Sequence, residues 1–235
     1  MKIISHRGAS IVKIENSLES LLYAGEIGAD MVECDVTRLA DGTYVIFHDN
    51  NMKRLAGVDA LLSEITYEQM RDMLKRCGRS LMSFRYLLDN YNSNVPILLH
   101  IKMEELADDF IEMIRATEIP FVFGAITPRV VEQLHTYFPP KRILSFAPHK
   151  QDYKVFYEKG AGNIRLWEHW LDEVTPAEVK ANCEGVEVWI MARDENKCHD
   201  GSAESLEKCK QLGADGMLMN DAVLGVAWKR GQLAQ

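Results

Sequence analysis

Residues 31–49 read MVECDVTRLADGTYVIFHD. An apolar run carries two acids, Glu33 and Asp35, at i and i+2. A turn signal follows, and a second apolar run ends on His48 and Asp49. Side chains alternate faces along a strand, so Met31, Glu33 and Asp35 share one face and Val32, Cys34 and Val36 the other. Asp41-Gly42 is a strong signal for a two-residue hairpin turn. A tight turn there pairs Ala40 with Thr43 and, running back, Val36 with Phe47 and Asp35 with His48. Directly opposed residues share a face, so this register predicts His48 beside Asp35 on the side of Glu33. A longer loop would break the register, and a surface hairpin with a polar face is the plainer alternative.

The same alternation of short apolar runs continues along the chain. KIIS (2–5), MVECDV (31–36), VPILLHIK (95–102), FVFGAI (121–126), RILSFA (142–147), NIRLWEHW (163–170), VEVWIMA (186–192) and GMLMN (216–220) read as strands. Amphipathic stretches separate them. Asn16, with Glu19 three residues on, has the pattern of a helix N-cap and capping box. Pro128 and the pair Thr175-Pro176 suit first helical turns. Eight apolar strands in β–helix–β alternation, buried on both faces, predict a (β/α)8 barrel. A doubly wound open sheet is the rival, but no G-x-G-x-x-G or P-loop supports it. Residues 50–94 are rich in helix and loop signals without a strong strand. They predict a small helical insertion after the second strand, covering part of the barrel mouth. Residues 1–235 are therefore expected to form a single barrel domain.

The chain has 235 residues, of which 47% are hydrophobic and 26% charged, enough for one sizeable core. Its net charge of -8 argues against nonspecific binding to nucleic acid or to an anionic membrane surface. Five cysteines (Cys34, Cys77, Cys183, Cys198 and Cys209) make an odd set without a C-x-x-C pair. No disulfide framework or zinc ribbon is indicated. No apolar run approaches the roughly 20 residues of a membrane span. These features predict a soluble cytoplasmic protein, with homo-oligomer formation left open.

At the C-terminal end of barrel strands, where such folds place their sites, the candidate residues gather. His6 ends the first strand and the adjacent strand brings Glu33 beside it. Two buried acids are costly unless compensated, and a divalent cation between Glu33 and Asp35 removes that cost. The histidines His6 and His48 are then free for proton transfer. Arg7 can bond phosphate bidentately, and Gly8 permits close backbone approach. Lys102, ending the third strand, adds a second positive group. The negative net charge does not exclude a phosphate-containing small substrate here, because local charge decides that.

These residues resemble the glycerophosphodiester phosphodiesterase family. The matching elements are HRG (6–8), ENS (15–17), GADMVECDV (28–36), DGTYVIFHD (41–49), HIK (100–102) and GADG (213–216). The resemblance implies a TIM barrel, one bound divalent metal, and hydrolysis of glycerophosphodiesters to glycerol 3-phosphate and an alcohol. It implies His6 and His48 as the acid/base pair, and Glu33 and Asp35 as metal ligands. Arg7 and Lys102 become phosphate contacts, and Glu15 a support of the site's floor. An attack by the substrate's own glycerol hydroxyl, giving a cyclic phosphate opened by water, is part of the same implication.

Departures from the family pattern are specific. The third acidic metal ligand, two residues before the strand lysine, is here His100. The proline before the EN element is Ile14, the WT element is Trp189-Ile190, and the late TD element is Met219-Asn220. A histidine ligand removes one negative charge and adds a softer nitrogen. It moves the expected ion from Mg or Ca toward Mn, Zn or iron. Trp189, near a strand end, is expected to pack against the glycerol moiety, and Trp167-Glu168-His169 to line the mouth. The competing reading is a non-catalytic or altered-specificity phosphate-ligand binder. A barrel isomerase or aldolase with a phosphate clamp is weaker, because it leaves the two histidines and paired acids unexplained.

Overall fold

The structure, a computed structural model, describes residues 1–194 and 196–232. Its elements in order are β1 (Lys2–Ser5), α1 (Leu18–Ile27), β2 (Met31–Arg38), β3 (Tyr44–Ile46), α2 (Lys53–Ala56), α3 (Tyr67–Arg76), β4 (Met82–Ser83) and α4 (Phe84–Asn90). The chain continues through β5 (Ile97–Ile101), α5 (Asp108–Arg115), β6 (Phe121–Ala125), α6 (Pro128–His135), β7 (Ile143–Ser145) and α7 (Tyr153–Glu158). It ends with β8 (Asn163–Trp167), α8 (Pro176–Asn182), β9 (Glu187–Met191), α9 (Ala203–Gln211), β10 (Gly216–Met219) and α10 (Ala222–Lys229).

Eight of these strands close a parallel barrel in the order β1, β2, β5, β6, β7, β8, β9, β10. β1 pairs with β10 on one side (Lys2 with Gly216) and with β2 on the other (Ile4 with Met31). Strands buried on both faces explain the near-continuous apolar runs. One face packs under the helices, through Val32, Cys34, Leu99, Phe123 and Ile164 among others. The other fills the barrel interior with Ile4, Met31, Leu98, Leu144, Trp189 and Leu218. Among the described residues no helix is long and apolar enough to cross a membrane.

The hairpin after β2 differs from the tight turn expected. Val36 pairs with Ile46, Thr37 with Val45 and Arg38 with Tyr44, a register one residue off the predicted one. The loop is Ala40-Asp41-Gly42, closed by Leu39 N–H donating to Thr43 O at 2.9 Å. Gly42 takes φ of +86°, the left-handed position that three-residue hairpin loops require. Asp41 is drawn away from a two-residue turn because its carboxylate accepts from Thr43 N (3.0 Å) and from Tyr67 N (2.8 Å), tying the loop to α3. Phe47 therefore stands opposite Asp35, its N–H donating to Asp35 O. His48 follows one residue later, where the chain leaves the sheet.

Packing divides residues 50–94. Leu39, Val45 and Phe47 of the hairpin join Met52, Leu62, Met70 and Leu74 in a cluster of their own over the end of β2. β4 adds a short antiparallel strand to β3. Phe84 and Leu87 of α4 instead enter the main layer under the barrel helices. After β5, α5 begins only at Asp108, so residues 103–107 form a loop.

The cap of α1 is also shifted. Ser17, not Asn16, accepts from Ser20 N–H, at 3.1 Å. Asn16 sits in the left-handed region at φ +57° and turns its amide to Asp35. Glu19 pairs with Lys13 in place of closing a capping box.

Candidate active site

The turn after β1 sets the first edge of the site. Gly8 lies at φ +75°, and a Cβ there would meet Ser20 Oγ at 2.4 Å, so only glycine fits this close approach. The turn aims Arg7 N–H at Glu33 Oε2 (2.8 Å) and Gly8 N–H at Glu33 O (3.1 Å). The Arg7 side chain bonds Glu15 Oε2 at 3.1 Å, and its Nε lies 3.7 Å from Asp35 Oδ2.

Glu33 and Asp35 are fully buried and point into the barrel. Asp35 is held twice by Asn16, whose Nδ2 donates to Oδ2 (3.0 Å) and whose Oδ1 accepts from Asp35 N (3.2 Å). Glu33 Oε1 and Asp35 Oδ1 have no hydrogen-bond partner among the described residues. His100 Nδ1 approaches them at 3.6 and 3.0 Å without the alignment of a hydrogen bond, and its Nε2 is unpaired. The three side chains offer one donor atom each, all within 4.8 Å of one another. Lys102 Nζ stands 3.6 Å from Asp35 Oδ1. Burial pushes Asp35 up, but His100, followed by Lys102 and His48, outweighs it and holds the carboxyl well below its usual range. Two desolvated carboxylate oxygens and a histidine nitrogen, unspent on protein partners, fit a divalent cation.

The His100 ring stacks on Phe146, with centroids 3.9 Å apart and 12° between planes. Gly124 makes room for this stack, since a Cβ there would meet Phe146 Cε2 at 2.4 Å.

His6 and His48 flank the cluster with different supports. His6 Nδ1 contacts Asn220 Oδ1 at 2.6 Å, and Asn220 Nδ2 donates to Asp200, which fixes the amide oxygen toward the ring. Nε2 is thereby left as the basic nitrogen, 3.9 Å from Glu33. Burial, the largest influence, pushes His6 down from 6.5 to about 4, against the raising fields of Glu33 and Asp35. His48 Nδ1 contacts Asp49 at 2.6 Å. Burial lowers it, while the charges of Asp35, Lys102 and Arg7 all reach it. His48 thus arrives near Asp35 by the chain's exit from β3, not by the predicted cross-strand pairing. Arg54 of α2 bonds Asp49 (2.7 Å) and Glu15, linking Arg7 to His48 through Glu15, Arg54 and Asp49.

Trp189 lies elsewhere than expected. Its indole N–H donates to Glu187 at 2.9 Å and Lys2 sits over its ring, so it plugs the N-terminal end of the barrel interior. Its place two residues before the end of β9 aims it away from the mouth. Trp167, at the end of β8, is the aromatic ring on the His6 side.

Asn16, Asp49, Arg54 and Asn220 were not singled out as site residues from the sequence. Asn16 and Asp49 lie inside matched motifs, so their neighbours were the available signal. Arg54 lies in the insertion, and nothing local marks it.

A sequence profile of the glycerophosphoryl diester phosphodiesterase family matches residues 6–123. Curated relatives include human lysophospholipase D GDPD1, 31% identical over 102 residues, covering 43% of this chain and 32% of that protein. A probable glycerophosphodiester phosphodiesterase 1 of Mycobacterium tuberculosis is 38% identical over 71 residues, covering 30% of this chain and 26% of that protein. The matches thus span about a third or less of those relatives' lengths. A glycerophosphodiester phosphodiesterase from Thermotoga maritima has the same fold, with a TM-score of 0.77 at 20% identity over 96% of this chain and 97% of that one. A phosphodiesterase from Oleispira antarctica, solved with the product sn-glycerol-3-phosphate, also scores 0.77, at 16% identity over 98% of this chain and 97% of that one. The profile takes in half of the chain and every site residue from His6 to Lys102. On that match, and on a closed barrel carrying the matched motifs at its mouth, the chain belongs to the glycerophosphoryl diester phosphodiesterase family.

Proposed function

We propose that this protein is a metal-dependent phosphoric diester hydrolase that cleaves glycerophosphodiesters to glycerol 3-phosphate and an alcohol. The observation that carries this reading is the buried trio Glu33, Asp35 and His100, with unspent donor atoms, beside the His6-Arg7 turn. The relatives' names and the product in the Oleispira neighbour point the same way. A divalent ion held by the trio would polarise a phosphoryl oxygen and offset its charge.

The chain's own groups supply the rest. Arg7, braced by Glu15, and Lys102 are suited to hold the phosphoryl oxygens. His6, neutral at physiological pH with Nε2 free, is suited to take the proton of the attacking oxygen. His48, anchored on the Asp49 carboxylate, is suited to deliver a proton to the leaving alcohol. The soluble products of lipid breakdown are the natural substrates for such a site. A cytoplasmic location is part of the same proposal.

The test is release of glycerol 3-phosphate from glycerophosphocholine and glycerophosphoethanolamine with a panel of divalent metals. Turnover is expected that disappears with chelator and falls at least 100-fold in His6→Ala and His48→Ala. A folded protein that turns over neither substrate with any metal would overturn the proposal. A second reading, a phosphate-ligand binder, starts from the histidine in place of an acid at the third ligand position, and it predicts ligand binding without release.

A further inference from the structure

The side of the mouth formed by β8 and the loop after β9 carries an arrangement that the proposed reaction does not use. Arg165, in the middle of β8, is 4% exposed. Its Nη2 donates to Ala147 O at 3.3 Å, while Nε and Nη1 have no partner among the described residues. The guanidinium lies 4.5 Å from the Trp167 ring and 5.1 Å from Phe146, the ring that stacks on His100. Arg193 sits 5.3 Å from Trp167 as well. Trp167 in turn lies 5.4 Å from His199, and His199 6.0 Å from His6. This wall therefore reaches from the metal-ligand side of the site to the acid/base side.

Among the described residues no carboxylate forms an ion pair with the wall: neither Arg165 nor Arg193 makes a salt bridge. The nearby Glu168 spends one oxygen on Arg193 N–H (2.9 Å) and the other on the Ser205 hydroxyl. Asp200 is engaged by Asn220. The charge of the wall is felt at His169, which burial and the two arginines push down. In a chain with 35 acids and 27 Lys and Arg, this local excess of unpaired positive charge runs against the composition. A buried guanidinium with unspent N–H groups is costly unless an anion completes it.

We infer that Arg165, Trp167 and Arg193 form an anion subsite that selects glycerophosphodiesters whose alcohol moiety carries a second anionic group, a carboxylate or a phosphomonoester. The inference rests on the hydrolase reading for where the diester sits. An aromatic wall by itself would also suit a quaternary ammonium head group. Here guanidinium groups already lie against the Trp167 ring, and their charge repels an ammonium.

Two substrate pairs isolate the second anion. Glycerophosphoserine differs from glycerophosphoethanolamine by a carboxylate. Glycerophosphoinositol 4-phosphate differs from glycerophosphoinositol by a phosphomonoester. Affinities are read by calorimetry on the His48→Ala protein with manganese present, so that turnover does not intrude. The anionic member of at least one pair is expected to bind on the order of tenfold tighter. The pair that shows the gap tells carboxylate from phosphate. Arg193→Gln, a partly exposed position, and separately Arg165→Lys are expected to bring the ratio toward one. Equal affinities within both pairs, or a gap indifferent to both substitutions, would overturn the subsite. Turnover of the same compounds by the unsubstituted protein is scored separately. Loss of turnover with the gap intact retires the hydrolase and keeps the anion subsite.

Discussion

His100 concentrates the departure of this chain from its family's pattern into one side chain. Its ring is fixed by stacking on Phe146 and by the space left at Gly124, and among the described residues its Nε2 has no hydrogen-bond partner. It therefore brings a preset nitrogen to two carboxylates that lack partners. A nitrogen in an otherwise oxygen site favours Zn or Mn over Mg or Ca. His100→Ala is expected to weaken zinc binding at least tenfold, and His100→Glu to restore preference for magnesium, both read by metal titration. Unchanged zinc affinity in His100→Ala would argue that the ring is only a wall of the site. Asn16 acts on the same cluster from behind. Asn16→Ala strips Asp35 of both its side-chain and its backbone partner, and is expected to cost about 1–3 kcal/mol in urea unfolding.

At the scale of elements, the barrel and its insertion have separate cores, yet the insertion carries Arg54, which braces Glu15 and Asp49. Leu74, buried on α3, belongs to the insertion's cluster alone. Leu74→Ala is expected to raise amide exchange through residues 50–81 while leaving β1 and β5 protected, with a local loss of about 2–4 kcal/mol. Faster exchange in the barrel strands as well would show that the two cores open together. The eight strands were legible because each is a short apolar run bounded by turn residues, and barrel burial demands little else. The acids of β2 were legible because a charge in such a run needs a reason. The hairpin register was not, because one residue of loop length turns on whether Asp41 caps Thr43 alone or also reaches Tyr67, a contact 26 positions away. For the same reason the Ser17 cap escaped notice: Asn16 is the better capping residue by type, but Asp35 claims its amide. Trp189 was misplaced because strand periodicity gives the face of a side chain and not which end of the barrel it leans toward.

In the whole molecule, the first strand pairs with both the second and the last, so closure of the barrel depends on residues at both ends of the chain. Buried groups anywhere in the layer between strands and helices should then report on global unfolding. Tyr91, after α4, donates its hydroxyl to Val95 O at 2.7 Å, and burial pushes it up from 10.0 to about 12. Cys209, on α9, is pushed up from 9.0 to about 12, mainly by burial and further by the charge of Glu168. Both groups are neutral when protonated, so the fold keeps its protons to a higher pH than the unfolded chain does. Between about pH 9 and 12 the folded state binds more protons, and stability falls as pH rises. The contribution is complete below pH 9 and lost as pH passes through about 12, on the order of 3 kcal/mol per group. Growing net negative charge destabilises every variant over the same range, so the slope, and not the absolute stability, carries the test. Urea midpoints measured from pH 8 to 12 are expected to fall less steeply in the Tyr91→Phe, Cys209→Ala double variant than in the parent. Parallel slopes would mean that these two groups reach solvent before the barrel opens.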